Sequence, residues 1–321
     1  SPAAADSSGA SPEQSSPSEP ASEEAPVFTT KDLLLSTSSS TSSYYTIGAG
    51  IADMVNQRNF GFTISATTSG GSVDNVNRIA NGEAELGSGM PDVVYEAANG
   101  LGGFSSPVPI ASLCSMWSNP LNVVVRDDGK INSIADLRGK RVSVGAAGTG
   151  SQATPIALLN AYGIAQDEVE WSFAPIGEQC NMLKDGQIDA IMMTMGMGNA
   201  SFTDLAATTA VKWLDADPEK IQSVTAQTPF YCEVDIPAQA YPGITQTVHC
   251  LGFCVNLYAS TERVSDDQAY LIVKTIFDNP EEIARYHAVG NDITLETALE
   301  GLATEPHPGA ARYFREKGLI E

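Results

Sequence analysis

The feature that most constrains this chain is a pattern that occurs twice. Asp32 to Ser36 is a short apolar run of strand length, and a loop of eight hydroxyl residues, Ser36 to Ser43, follows it. Ile47, Ile51, Met54 and Val55 then recur at the spacing of one helix face. Phe62 to Ala66 predicts a second strand. Val73, Val76 and Ala80 predict a second helix that stops at Asn81-Gly82, and Asn81 to Leu86 turns into a third strand. The second copy begins at Val142 to Gly145 and passes through a small-residue loop. A helix with Ile156, Leu159 and Tyr162 on one face follows, ended by Gly163 as a left-handed cap, and the copy reaches its own turn at Asp185 to Ala190. Loop and turn are separated by about forty residues in both copies. Strands alternating with helices predict α/β lobes with parallel sheets. Two such lobes would face their first loops toward one cleft, where helix N-termini offer unpaired N–H groups and a positive dipole. Ser265 with Gln268 predicts a capping box for a later helix carrying Tyr270, Val273 and Phe277.

Composition narrows what that cleft can meet. The net charge of −22 excludes nucleic acid and anionic lipid as direct partners. No apolar run reaches the ~18 residues of a membrane span. With 42% hydrophobic residues over 321, the body can bury a core divided between two lobes. Residues 1–28 differ: 19 are Ser, Pro or Ala, and five acids occur without a base. Such a segment cannot bury enough apolar surface to offset its ordering entropy, so it is expected to be a disordered, solvated tether. It carries no signal peptide.

Catalytic and metal chemistry find little support. The loop Gly145 to Ser151 follows a strand, but its glycines fall as G-x-x-G-x-G and no lysine follows, so neither a dinucleotide fingerprint nor a P-loop is present. There is no G-x-S-x-G, and only His249, His287 and His307 could act as imidazole bases. His307 sits in a Pro-His-Pro-Gly turn and reads as structural. Cys250 and Cys254 fall on one face of a probable strand, opposite Leu251, Phe253, Val255 and Leu257. With Cys232 they could be drawn as a zinc site, but His249 points to the other face and no C-x-x-C pair occurs. Buried thiols acting as small hydrophobes are the expectation. No cofactor, metal or catalytic residue is expected.

From about residue 32 to 318 the chain resembles the TAXI-type solute receptors of tripartite ATP-independent periplasmic (TRAP) transporters. The residues carrying this are Tyr44-Tyr45-Thr46-Ile47-Gly48, Thr68 to Val73 with Asn75, Asn81 to Leu86, Asp92 and Tyr95. Asp136 to Val142, Gly148 to Ser151, Asp185 to Ala190, Tyr241-Pro242-Gly243 and His307 to Ala310 complete the run. The resemblance implies a type II periplasmic-binding-protein fold: two α/β lobes joined by two crossover strands around a ligand cleft. It divides the body into one lobe of residues 29–124 plus 253–321 and another of residues 125–252. It also implies an extracytoplasmic monomer, not an enzyme, that delivers a small solute to a TRAP membrane permease. The tether suits a lipid-anchored form whose modified Cys preceded Ser1. A sensor that signals to a partner instead is the alternative.

Three loops form the expected site. Ser39, Ser40, Ser42, Ser43 and Tyr44 make one wall; Ser69, Gly70, Gly71, Ser72 and Asn75 the second; Thr149, Gly150 and Ser151 face them from the other lobe. No Arg or Lys lies in these loops, so a carboxylate would be held by hydroxyls, backbone N–H groups and helix dipoles. Each residue has a plainer alternative: Ser72 and Ser151 as helix caps, Asn75 facing solvent, Tyr44 or Tyr45 in the core. Trp117 reads equally as cleft wall or packing. The chain departs from the family where it has Thr41-Ser42 in place of a glycine pair and Met90-Pro91 before Asp92. The segment Met192 to Gly198 is methionine-rich. Core filling is the plainer reading of these methionines; if Met90 or Met195 lines the cleft, the pocket is softer than one for glutamate or 2-oxoglutarate, the starting guess from the family.

Overall fold

The computed structural model describes residues 28–147 and 151–321. The first copy of the pattern runs β1 (Asp32–Ser36), α1 (Ser43–Gln57), β2 (Thr63–Thr67), α2 (Ser72–Ala80) and β3 (Leu86–Gly89). α3 (Pro91–Asn99) leads into the long strand β4 (Ile110–Arg126). The second copy is β5 (Arg141–Val144), α4 (Ala153–Ala161), β6 (Glu170–Phe173), α5 (Ile176–Lys184) and β7 (Ala190–Thr194). Then come α6 (Ala200–Thr208), β8 (Val211–Trp213), α7 (Pro218–Thr225), β9 (Tyr231–Ile236) and the second long strand β10 (Val248–Ser260). The chain closes with α8 (Asp266–Phe277), α9 (Pro280–Ile283) and α10 (Pro308–Glu316).

Local chemistry accounts for the helix ends. The Ser42 hydroxyl accepts from Tyr45 N–H at 3.3 Å and starts α1. α4 stops at Tyr162, and Gly163 takes φ +72°, as the sequence predicts. Ser265 and Gln268 form the reciprocal box that opens α8, at 3.0 and 3.2 Å. Buried His307 accepts from Gly309 N–H at 3.3 Å to cap α10. Gly309 is obligatory, because a Cβ there would overlap the Asp266 carbonyl.

Strand order is β2-β1-β3-β10-β4-β7-β5-β6, with β9 on β10 and β8 on β4. β1 pairs in parallel with β2 and β3; β5 pairs in parallel with β6 and β7. The two long strands cross between the halves. β4 pairs with β10 up to Pro120 and then with β7 from Leu121. At the switch Gly252 lies so close to β4 and β9 that a Cβ would sit 2.8 Å from the Asn119 carbonyl and 2.6 Å from Val234. Apolar side chains from strands and helices of both halves, such as Leu35, Ile51, Leu113, Val142, Leu159 and Val255, fill the core. Phe28, the first described residue, is buried edge-on against Phe62, with centroids 5.1 Å apart.

Candidate functional site

A cavity of about 660 Å³ opens between the two halves at the carboxyl ends of their parallel strands. The first half contributes Ser38, Ser42, Ser43, Tyr44 and Met90. The second contributes Ala146, Ser151, Met193 to Gly198 and Asn199. Asn119 and Phe253 come from the crossover strands, and His287 and Val289 from a 3₁₀ turn after α9. No Arg or Lys is among these residues. One wall is hydroxyl-rich and the facing wall carries the thioethers of Met193, Met195 and Met197.

Supports behind the lining are polar and committed. Tyr44 meets Trp117 edge-on, centroids 5.1 Å apart, and Trp117 itself is 1% exposed and outside the cavity. Burial, then the Asp92 carboxylate, holds the Tyr44 phenol above its ordinary range, against a lowering hydrogen bond from Asn119. Asp92 at the start of α3 is pushed up to about 6, mainly by burial and further by Glu96, against backbone hydrogen bonds that lower it. On the opposite wall buried Asn122 donates to the carbonyls of Met193 and Met195, at 3.3 and 3.4 Å, and so fixes the end of β7. His287 Nδ1 accepts from Val289 N–H at 3.2 Å, which leaves the neutral ring's proton on Nε2 as a donor.

The residues expected from sequence separate into groups. Ser42, Ser43, Tyr44, Met90, Ser151 and Met195 come together on the cavity. Ser39 and Ser40 are exposed and outside it, the Ser39 carbonyl accepting from the Ser42 hydroxyl at 2.7 Å. Gly70, Gly71 and Ser72 line an adjoining cavity of about 310 Å³ that shares Ser38, Tyr44 and Met90 with the first. Ser69 orders that loop: it donates to the Thr37 carbonyl at 3.1 Å and accepts from Gly71 N–H at 3.0 Å. Ser72 is no helix cap; its hydroxyl accepts from Met90 N–H at 3.0 Å. Asn75 does not face solvent. It is fully buried, accepts from the Ser36 hydroxyl and donates to the Thr37 and Ser88 carbonyls at 2.6 and 2.8 Å, so both its donors tie strand ends together. Thr149 and Gly150 lie outside the described residues. Ser151 is buried beside Gly145, and α4 begins after Gln152 without a side-chain cap. Asn119, Asn199, His287 and Val289 were missed as lining. Only Asn119, two residues after Trp117, carried any signal, because the others follow strands and helices whose placement a local pattern does not reveal.

The carboxylates of Glu233 and Asp235 and the His249 ring converge within 4.8 Å on the exposed β9–β10 ribbon, away from the cleft. Asp235 lies 2.7 Å from His249 Nδ1 and is the main cause that raises the imidazole's pKa.

Comparison with known proteins adds to this geometry. A family model described as the NMT1-like family matches residues 35–318. A Haemophilus influenzae protein named for thiamine biosynthesis is 32% identical over 109 residues. That match takes in 32% of this chain and 30% of the other, so it spans under a third of that relative's length. Among solved structures, a TctC solute-binding protein from Polaromonas superposes with a TM-score of 0.55 at 14% identity, over 92% of this chain and 99% of that one. The periplasmic aliphatic sulphonate-binding protein SsuA from Escherichia coli gives 0.51 at 14% identity, over 89% and 78%. These likenesses establish the mixed α/β fold of type II periplasmic binding proteins.

Proposed function

We propose that this chain, which belongs to the NMT1-like family, is an extracytoplasmic solute-binding protein that captures a small organic acid in the interlobe cleft. The observation that carries the reading is a single cavity of about 660 Å³ lined from both halves and from both crossover strands. Concave, mostly apolar sites with a few convergent polar groups are where small ligands bind. The Ser43 hydroxyl and the His287 ring would hold an anionic head without a bidentate arginine. The thioethers of Met193, Met195 and Met197 would receive an apolar body, so a carboxylate on a softer chain than glutamate or 2-oxoglutarate fits best. Capture without turnover is the reading, since among the described residues the lining offers no nucleophile hydrogen-bonded to a base.

Residues 29–124 with 253–321, and 125–252, would then move as two lobes about the crossovers near Leu121 to Arg126 and Gly252 to Asn256. Closure would present the loaded protein to a membrane permease of the TRAP type. The test is thermal unfolding against a panel of small carboxylates, amino acids and longer-chain acids. A ligand at a hundred times its dissociation constant adds about 2.7 kcal/mol, a visible rise in midpoint. A flat response from protein that native mass spectrometry shows to be empty would sink the proposal.

A further inference from the structure

Cys232 of β9 and Cys254 of β10 face each other with their Sγ atoms 3.7 Å apart. They border a cavity of about 350 Å³ on the crossover, lined as well by Met116 and Met197 and by the acidic residues Glu233, Asp235, Asp292 and Glu300. Met197 lines the ligand cleft as well, so the two cavities share a wall. All five cysteines are thiols, and the other three lie elsewhere in the core.

The spacing discriminates between two fates for the pair. Cys232 is directly opposite Gly252, which makes Cys254 its diagonal neighbour. Diagonal cross-strand positions are about 7–8 Å apart, at or beyond the ~7 Å limit for a disulfide without backbone movement. Two thiolates on one tetrahedral zinc, with Zn–S of about 2.3 Å, stand about 3.8 Å apart. The observed separation is the second of these. We infer that Cys232 and Cys254 bind a thiophilic d¹⁰ cation, Zn²⁺ or Cd²⁺, with the thioethers of Met116 and Met197 within the same cavity to complete its coordination. Each thiol would release its proton to solvent as its metal–sulfur bond forms, so the two negative charges are neutralised where they are made. The protein's strongly negative net charge favours cation entry.

The test is titration of reduced, metal-free full chain with Cd²⁺, following the thiolate-to-metal ultraviolet band. One ion per chain is expected, with Cys232 and Cys254 protected from alkylation and the other three cysteines reactive on denaturation. Cys232→Ser and Cys254→Ala should each weaken binding by more than the ~10–100-fold lost with an outer-shell partner. Cys180→Ser should leave it unchanged. His249→Gln, which removes the imidazole beside Asp235 and neither sulfur, should also leave it unchanged. Circular dichroism of each variant excludes misfolding. A band that survives in both cysteine variants, or that vanishes with His249→Gln, overturns the assignment. So does mild oxidation that yields a Cys232–Cys254 disulfide in a wild-type chain that retains no Cd²⁺.

Discussion

The two α/β halves solve one backbone problem in the same way and differ in their buried amides, their helix starts and the cleft. In the first half Gly82, at φ +76°, lets Glu83 N–H reach the Arg78 carbonyl at 2.7 Å; in the second Gly186, at φ +72°, lets Gln187 N–H reach the Met182 carbonyl at 2.8 Å. Glu85 then accepts from Leu34 N–H at 2.9 Å, and Asp189 accepts from Arg141 N–H at 3.0 Å, each clasping the first strand of its half. Arg263, just past β10, donates to the Ile79 and Ala84 carbonyls, both at 2.6 Å. Arg126, at the end of β4, donates to the Leu183 and Ile188 carbonyls at 2.7 and 3.1 Å. A helix that turns straight into a strand leaves carbonyls without partners, and each half brings a guanidinium from its antiparallel crossover to meet them. Away from those turns the halves differ at the cavity, where the first presents mainly hydroxyls with Met90 and the second mainly the thioethers of Met193, Met195 and Met197.

Buried amides offer the sharpest break in the symmetry. Asn75 in α2 makes three hydrogen bonds to strand ends and a buried serine, whereas Gln179 in α5 makes two, to the Val144 and Ala174 carbonyls at 2.8 and 2.7 Å. Asn75→Ala should cost about 3 kcal/mol and Gln179→Ala about 2 kcal/mol in urea unfolding, because each strands buried polar groups. Equal losses, or a larger loss at Gln179, would remove this break in the symmetry.

The helix after the third strand differs next. α6 starts with a neutral cap, Asn199 accepting from Ser201 N–H at 2.9 Å, whereas α3 starts with the partly buried carboxyl of Asp92 at about 6. An acid whose pKa rises from 3.8 unfolded to about 6 folded binds its proton more tightly in the native state. Its contribution is therefore fully favourable below pH 3.8 and is lost as pH rises through about 6. Asp92→Asn should raise stability by ~2 kcal/mol at pH 8 and by much less at pH 4. A stability gain that is independent of pH would remove burial of the charge as its cause.

First-helix caps give a smaller contrast. Ser42 caps α1 through its hydroxyl, while Gln152 before α4 makes no side-chain cap. Ser42→Ala should cost about 1 kcal/mol in ligand-free protein, and Gln152→Ala should stay within ~0.5 kcal/mol. Thermal melts that rank the two the other way would count against the capping account. Smallest of all is the effect at the walls themselves. Ser43→Ala should weaken a bound carboxylate by about fivefold, and Met195→Ala should weaken long-chain acids more than short ones. Calorimetry showing both variants equally indifferent to chain length would erase the division of labour between walls.

Much of this was legible without coordinates. The strand at Asp32, the stop at Gly163, the box at Ser265 and the paired turns at Asn81 and Asp185 all rest on interactions within a few residues, which periodicity and turn chemistry encode directly. Alternation along β10 placed Cys250 and Cys254 on one face, but not the neighbour each would meet; only strand order put Cys232 beside Cys254 and left Cys250 in another cluster. Asn75 reads in sequence like any polar residue on a short helix, and its burial follows from where β1 and β3 end. His287 and Asn119 share a cavity although 168 positions separate them. Local sequence thus determined the elements and their ends, since those energies are short-ranged. The crossover of β4 and β10 decided which loops share a cleft, since a contact between distant segments exists only once the sheets that carry them have packed.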